Sequence, residues 1–194
     1  MTFSVTLKDL RTAGACIAGY NRVVCALQGV PYTRGRTRYI RHRHPDEIPL
    51  EFILASNGLL DALWATRCVQ GHDRDLRLFA VWWARQVQHL ATDPRVGTCL
   101  DVAESFANGG ATVLELRAAL AALGAAPEAL YAAERVATRA AMGAAATRPE
   151  VMLTVLDAAW AAAHGEGVRT GLDDLTTMFL KMLKGEAPWQ ENQV

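Results

Sequence analysis

Apolar side chains recur along most of the chain at intervals of three, four and seven, the repeat of a helix that buries one face. The first such stripe runs through Leu10, Ala13, Ile17, Val24 and Leu27 and predicts a helix over 7–27, with Thr6 placed to cap it and Asp9 near its positive end. Gly14 and Gly19 inside it allow another backbone to approach or permit a break. Ahead of it, Phe3-Ser4-Val5-Thr6-Leu7 suits a short strand. Gly29-Val30-Pro31 ends the helix, and the apolar repeat then lapses. From Tyr32 to Pro45 the chain is too polar and irregular for a core helix, so an exposed basic loop or a short twisted hairpin is expected.

Helical spacing returns at Ile48. Pro49 suits a first helical position, and Leu50, Phe52, Ile53 and Leu54 form a short apolar turn that stops at Ser56-Asn57-Gly58. A helix over 59–69 follows, closed by Gly71. His72-Asp73 caps the next, over 74–91, where Leu76, Phe79, Ala80, Trp83, Val87 and Leu90 repeat with helical spacing and predict the centre of the core. Asp93-Pro94 opens a helix that Asn108-Gly109-Gly110 ends. Thr112 and Glu115 have capping-box spacing ahead of Leu116, Leu120 and Leu123. Beyond Gly124 the chain is rich in alanine, and Pro127 and Pro149 each start a predicted helix whose small side chains suit close packing. The last predicted helix covers 172–183.

These elements make an all-α protein, arranged as a compact multi-helix bundle or a short α-solenoid-like stack, with a possible short N-terminal strand and a basic loop. The expected parts are an N-terminal helix plus basic loop at 1–45, a helical body at 46–188 and a frayed tail at 189–194, together one structural unit. Whether the alanine-rich helices pair within one chain or between two stays open.

Composition narrows the class. Half of the 194 residues are apolar, and twenty basic side chains balance twenty acidic ones, which excludes a disordered chain and a wholly polycationic nucleic-acid wrapper. Cys16, Cys25, Cys68 and Cys99 form no C-x-x-C pair and sit among apolar neighbours, so small core residues in a reduced compartment are expected. No run of apolar residues is long enough for a membrane span, and the first residues lack a signal core, so a cytoplasmic protein is expected.

The sequence carries no recognisable enzymatic constellation. Neither a phosphate-cradling glycine loop nor a G-x-S-x-G elbow occurs. His42 and His44 are read as pointing to opposite faces of an extended segment, and His72, His89 and His164 lie in separate elements, so no metal site and no cofactor are expected. The pairs Asp73/Asp75 and Asp173/Asp174 fall at helix starts, where the helix dipole favours them. Trp64, Trp82, Trp83 and Trp160 are read as core anchors, with only one of the adjacent Trp82 and Trp83 pointing fully inward.

Charge is the informative feature, because its balance is a cancellation. Residues 1–97 carry 13 basic and 8 acidic side chains, whereas residues 98–194 carry 7 and 12. The sharpest segment is 34–44, with Arg34, Arg36, Arg38, Arg41, Arg43, His42 and His44 and no acid. Three readings stand: a solvated loop, a contact for an acidic protein surface, or a contact for nucleic-acid phosphates in which Tyr32 and Tyr39 add stacking groups. The expected partner-binding residues are Arg34, Arg36, Arg38, Tyr39, Arg41 and Arg43.

Two segments resemble a group of small helical proteins of phages, prophages and other mobile elements. Thr6-Leu7-Lys8-Asp9-Leu10-Arg11-Thr12-Ala13-Gly14-Ala15-Cys16 is similar to their opening. Glu47-Ile48-Pro49-Leu50, Ser56-Asn57-Gly58-Leu59-Leu60-Asp61-Ala62-Leu63-Trp64, Asp73-Arg74-Asp75-Leu76-Arg77-Leu78-Phe79-Ala80 and Ala107-Asn108-Gly109-Gly110-Ala111-Thr112 are similar to their body. Some members carry the label of immunity protein. The resemblance implies a protein-binding inhibitor and supplies no catalytic residue, while the basic segment is this chain's departure from the group. The expectation is a non-enzymatic inhibitor that blocks a host defence complex, of the anti-CRISPR kind, by binding Cas effector subunits. The alternative is an immunity or antitoxin protein that masks a toxin.

Overall fold

The computed structural model describes residues 2–124 and 172–190. The protein is mostly helical with a short two-stranded antiparallel sheet near its N-terminus, in agreement with the all-α expectation. It divides into two compact units, residues 1–71 and residues 72–194, so the expected 1–45 segment shares its unit with the helices that follow it.

In the first unit β1 (Ser4–Val5) pairs with β2 (Ile48–Pro49), with Ser4 opposite Pro49 and Val5 opposite Ile48. A two-residue ladder suits Pro49, which has no N–H to donate. The next amide, Leu50, donates to the Phe3 carbonyl at 2.8 Å. The helix expected over 7–27 is two helices, α1 (Leu7–Thr12) and α2 (Ile17–Leu27). Gly14 causes the break: at φ +81° it lets Gly14 N–H reach the Arg11 carbonyl and Ala15 N–H reach the Leu10 carbonyl, the paired closure that ends a helix. Gly29, at φ +66°, closes α2 in the same way, with Val30 N–H on the Cys25 carbonyl and Gly29 N–H on the Ala26 carbonyl. Thr6 and Asp9 form the capping box of α1.

Residues 31–47 contain no helix or strand, as expected of the basic loop. Then come α3 (Leu50–Asn57) and α4 (Leu59–Ala65), the latter extended by a tighter turn over Thr66–Cys68. Pro49 is the residue before α3 rather than its first residue. Phe3, Val5, Leu10, Tyr20, Val24, Ile48, Ile53 and Leu63 are buried and form this unit's core.

In the second unit α5 (Asp73–Val87) packs against α6 (Arg95–Ala107) and α8 (Leu172–Lys184), and α6 packs against α7 (Val113–Gly124). The predicted stripe of α5 is buried at Leu76, Phe79, Ala80, Trp83 and Val87, whereas Leu90 lies half-buried in the turn beyond the helix. Trp83 is buried and Trp82 is not, because adjacent helical positions point about 100° apart. Phe179 of α8 meets Phe79 with ring centroids 5.5 Å apart. The box at Thr112 and Glu115 forms as predicted, and its hydrogen bonds hold the Glu115 carboxyl below the usual range. Asp73, Asp75, Asp173 and Asp174 occupy first turns.

The helices predicted from Pro127 and Pro149, with Trp160 and His164, lie outside the described residues. At the start of the expected frayed tail, Trp189 is half-buried and its carbonyl accepts from Arg74 Nη1 at 3.1 Å. Among the described residues no helix is long and apolar enough to cross a membrane.

Candidate functional site

The basic loop between α2 and β2 is tied down at several points by side chains of the first unit. The central tie is Asn21, a polar residue on the buried face of α2 with no solvent exposure. Its Nδ2 donates to the Arg38 carbonyl at 2.9 Å, and its Oδ1 accepts from the Ile40 amide at 2.7 Å. One side-chain amide thus stands in for a neighbouring strand, satisfying a donor and an acceptor of a segment with no ladder of its own.

Between those two residues Tyr39 turns inward. Its hydroxyl donates to the Ala15 carbonyl at 2.6 Å, and its ring meets Tyr20 edge to face at 5.1 Å. The helix break makes this contact available. Ala15 lies in the connection between α1 and α2, and the Gly19 amide, which a continuous helix would give to it, is taken by the Cys16 sulfur at 3.2 Å. Burial raises the Tyr20 phenol above its ordinary value, against the Arg11 charge that lowers it. The Arg11 guanidinium lies 5.0 Å from the centre of the Tyr39 ring and 6.0 Å from that of Tyr20.

The start of the loop is held through Arg22, whose guanidinium lies 5.5 Å from the centre of the Tyr32 ring. Arg22 also donates to the Asn57 carbonyl at 3.3 Å and to Asp61 at 3.4 Å. Asn57 Nδ2 in turn donates to the Gly19 carbonyl and to Asp61, so α2, α3 and α4 share one polar cluster under Tyr32. A Cβ on Gly19 would sit 3.1 Å from the Asp61 carboxylate, a tight contact at this approach of α2 to α4. Later in the loop, His42 Nδ1 lies 3.2 Å from Gln28 Nε2, and the rings of His42 and His44 stack with centroids 6.2 Å apart. That stacking corrects the expectation of opposite faces, since residues two apart in extended chain point to the same side.

These ties leave the cations outside. Arg34, Arg36, Arg38, Arg41 and Arg43 are all exposed, and among the described residues none has an acidic partner. The predicted residues therefore differ in placement: the five arginines are exposed, and Tyr39 is half-buried with its hydroxyl bonded to Ala15. Asn21 and Arg11 escaped the sequence reading. Asn21 had a legible signal, because it interrupts the stripe Ile17-Asn21-Val24 with an amide that has to be satisfied. Arg11 had none, because only the break at Gly14 and the inward turn of Tyr39 bring it to the loop.

The remaining candidate chemistry is dispersed. Among the described residues no three His, Cys, Asp or Glu side chains group as a metal site. Cys25 and Cys99 are buried, Cys68 is half-buried, and Cys16 is exposed as the cap of α2, which corrects the expectation that all four are core residues. Burial pushes the Cys68 and Cys99 thiols up to about 11, so they stay protonated at neutral pH. Trp64 is a partly exposed ring under the Arg67 guanidinium, 4.4 Å from its centre, rather than a core anchor. No protein-family model, curated protein or solved structure matches the chain.

Proposed function

We propose that the protein is a non-enzymatic, protein-binding inhibitor that works in the cytoplasm of a bacterial host cell. It blocks a host defence complex by covering part of its surface, and the partners in this reading are effector subunits of the anti-CRISPR kind. The observation that carries the reading is the basic loop: five exposed arginines, without acidic partners among the described residues, on a backbone tied to the first unit at Asn21 and Tyr39. A tied loop loses little conformational freedom on binding, so the electrostatic attraction is not spent on ordering it. The resemblance to mobile-element proteins supplies the biological setting.

A second reading rests on the acidic excess of residues 98–194, whose 12 acidic and 7 basic side chains suit a basic toxin. In that case the chain is an immunity or antitoxin protein and its contact surface lies in the second half.

The test is a pull-down from host lysate with the wild-type chain and with a variant in which Arg34, Arg36, Arg38, Arg41 and Arg43 are alanine. Recovery of Cas subunits by the wild type alone supports the first reading. Recovery of a toxin by both proteins supports the second. Equal recovery of Cas subunits by both removes the basic loop from the account.

A further inference from the structure

The loop arginines do not form the cationic face alone. Arg11, from α1, has its guanidinium stacked 5.0 Å from the centre of the Tyr39 ring, and Tyr39 lies between Arg38 and Ile40, the two residues that Asn21 pins. Arg11 is exposed. That side chain also donates to the Tyr20 hydroxyl, and because a guanidinium carries five N–H donors, others remain for an acceptor. Two segments 23 or more residues apart in sequence therefore converge on one aromatic ring, with cations on both.

The groups that would recognise bases are already occupied. Tyr39 spends its hydroxyl on Ala15 and its ring on Tyr20 and Arg11, while Tyr32 lies under Arg22. His42 and His44 stack on each other. Binding of single-stranded nucleic acid relies on open aromatic platforms, and groove reading relies on a helix or ribbon, which residues 31–47 lack. What the loop offers outward is guanidinium, a donor fork that fits carboxylates and phosphates alike; with no open ring for a base, a nucleic acid would be held by its phosphates alone, whereas a carboxylate-rich segment needs nothing beyond the fork.

Resting on the reading that the basic loop is a binding surface, we infer that Arg11 is a sixth contact residue of that surface and that the ligand is a carboxylate-rich protein segment rather than a nucleic acid. Arg11 is held in position by Tyr39, so α1 and the loop act as one face.

Titration of the full chain against a glutamate-rich peptide and against single-stranded oligothymidylate of equal charge tests this, using wild type, Arg11→Ala, Arg117→Ala and the five-arginine variant. Arg117 is an exposed cation of α7 and serves as the charge-matched control. The expected result is tighter binding of the peptide than of the oligonucleotide, a loss of about threefold for Arg11→Ala, and a smaller loss for Arg117→Ala. Equal losses for Arg11→Ala and Arg117→Ala overturn the place of Arg11 while leaving the loop reading intact. Tighter binding of the oligonucleotide, or no binding of the peptide, overturns the carboxylate assignment. Peptide binding that survives unchanged in the five-arginine variant overturns the loop reading itself. Unchanged far-ultraviolet circular dichroism of Arg11→Ala shows that its loss is not misfolding.

Discussion

In the first unit a deeply buried polar side chain, Asn21, is bonded through both ends of its amide to a segment with no regular structure. In the second unit the largest buried side chains are Trp83, Phe79 and Phe179, and the ion pairs of Arg85 with Asp101 and Glu104 lie toward solvent. The contrast follows from what each unit has to hold. Helices satisfy their own backbones and need only apolar faces to pack. An irregular loop cannot satisfy its backbone, so specific side chains must do so, and the residues between those ties are left to face outward. Among the described residues the buried Trp83 indole N–H of the second unit has no hydrogen-bond partner.

The largest test of this contrast is Phe79→Ala. Phe79 of α5 is fully buried and packs against Phe179 of α8, and its truncation should cost the second unit about 3–5 kcal/mol in urea unfolding. A loss below about 1 kcal/mol would mean that the aromatic contact does not hold that unit.

Asn21→Ala comes next. It strips partners from the Arg38 carbonyl and the Ile40 amide, and the expected loss is about 1–3 kcal/mol. Hydrogen exchange at the Ile40 amide should accelerate, whereas Asn21→Asp, which keeps the acceptor, should protect that amide better. Stability lost with Ile40 exchange unchanged would make Asn21 a packing residue rather than a tie.

Arg85→Ala should have a smaller effect. Its partners Asp101 and Glu104 are 70% and 45% exposed at the side chain, so the loss should be about 0.2–1 kcal/mol and should shrink with added salt.

The smallest perturbation is chemical labelling of the thiols in the native protein at pH 8. Exposed Cys16 should react first. Cys68 and Cys99, raised to about 11 by burial, hold about one thiolate per thousand at that pH, so both should lag and quicken as pH rises toward that value. Equal rates at all four cysteines would contradict the burial pattern on which the comparison rests.

Much of the second unit was legible in sequence. The stripe from Leu76 to Val87 and the Thr112–Glu115 box are local patterns, and a helix reads its own neighbours at three and four residues. The first unit was legible in outline only. Gly14 was visible as a permitted break, but nothing local shows that a helix stops there instead of running to Leu27, because a glycine is tolerated in a helix at a cost of about 1 kcal/mol. The arginines were visible as charge and Tyr39 as an aromatic among them, but the tie that Tyr39 makes was not visible. Its hydroxyl finds an acceptor 24 residues away in sequence.

Short-range pattern determined the helical class, the main helix boundaries and the basic character of the loop, because propensity, capping and charge depend on residues a few positions apart. Tertiary structure decided which polar groups face inward. Asn21, Ala15 and Tyr39 meet only once α1 and α2 have separated and the loop has come back across α2. The need of each buried amide and carbonyl for a partner then selects one arrangement of that loop, and that arrangement leaves its arginines exposed.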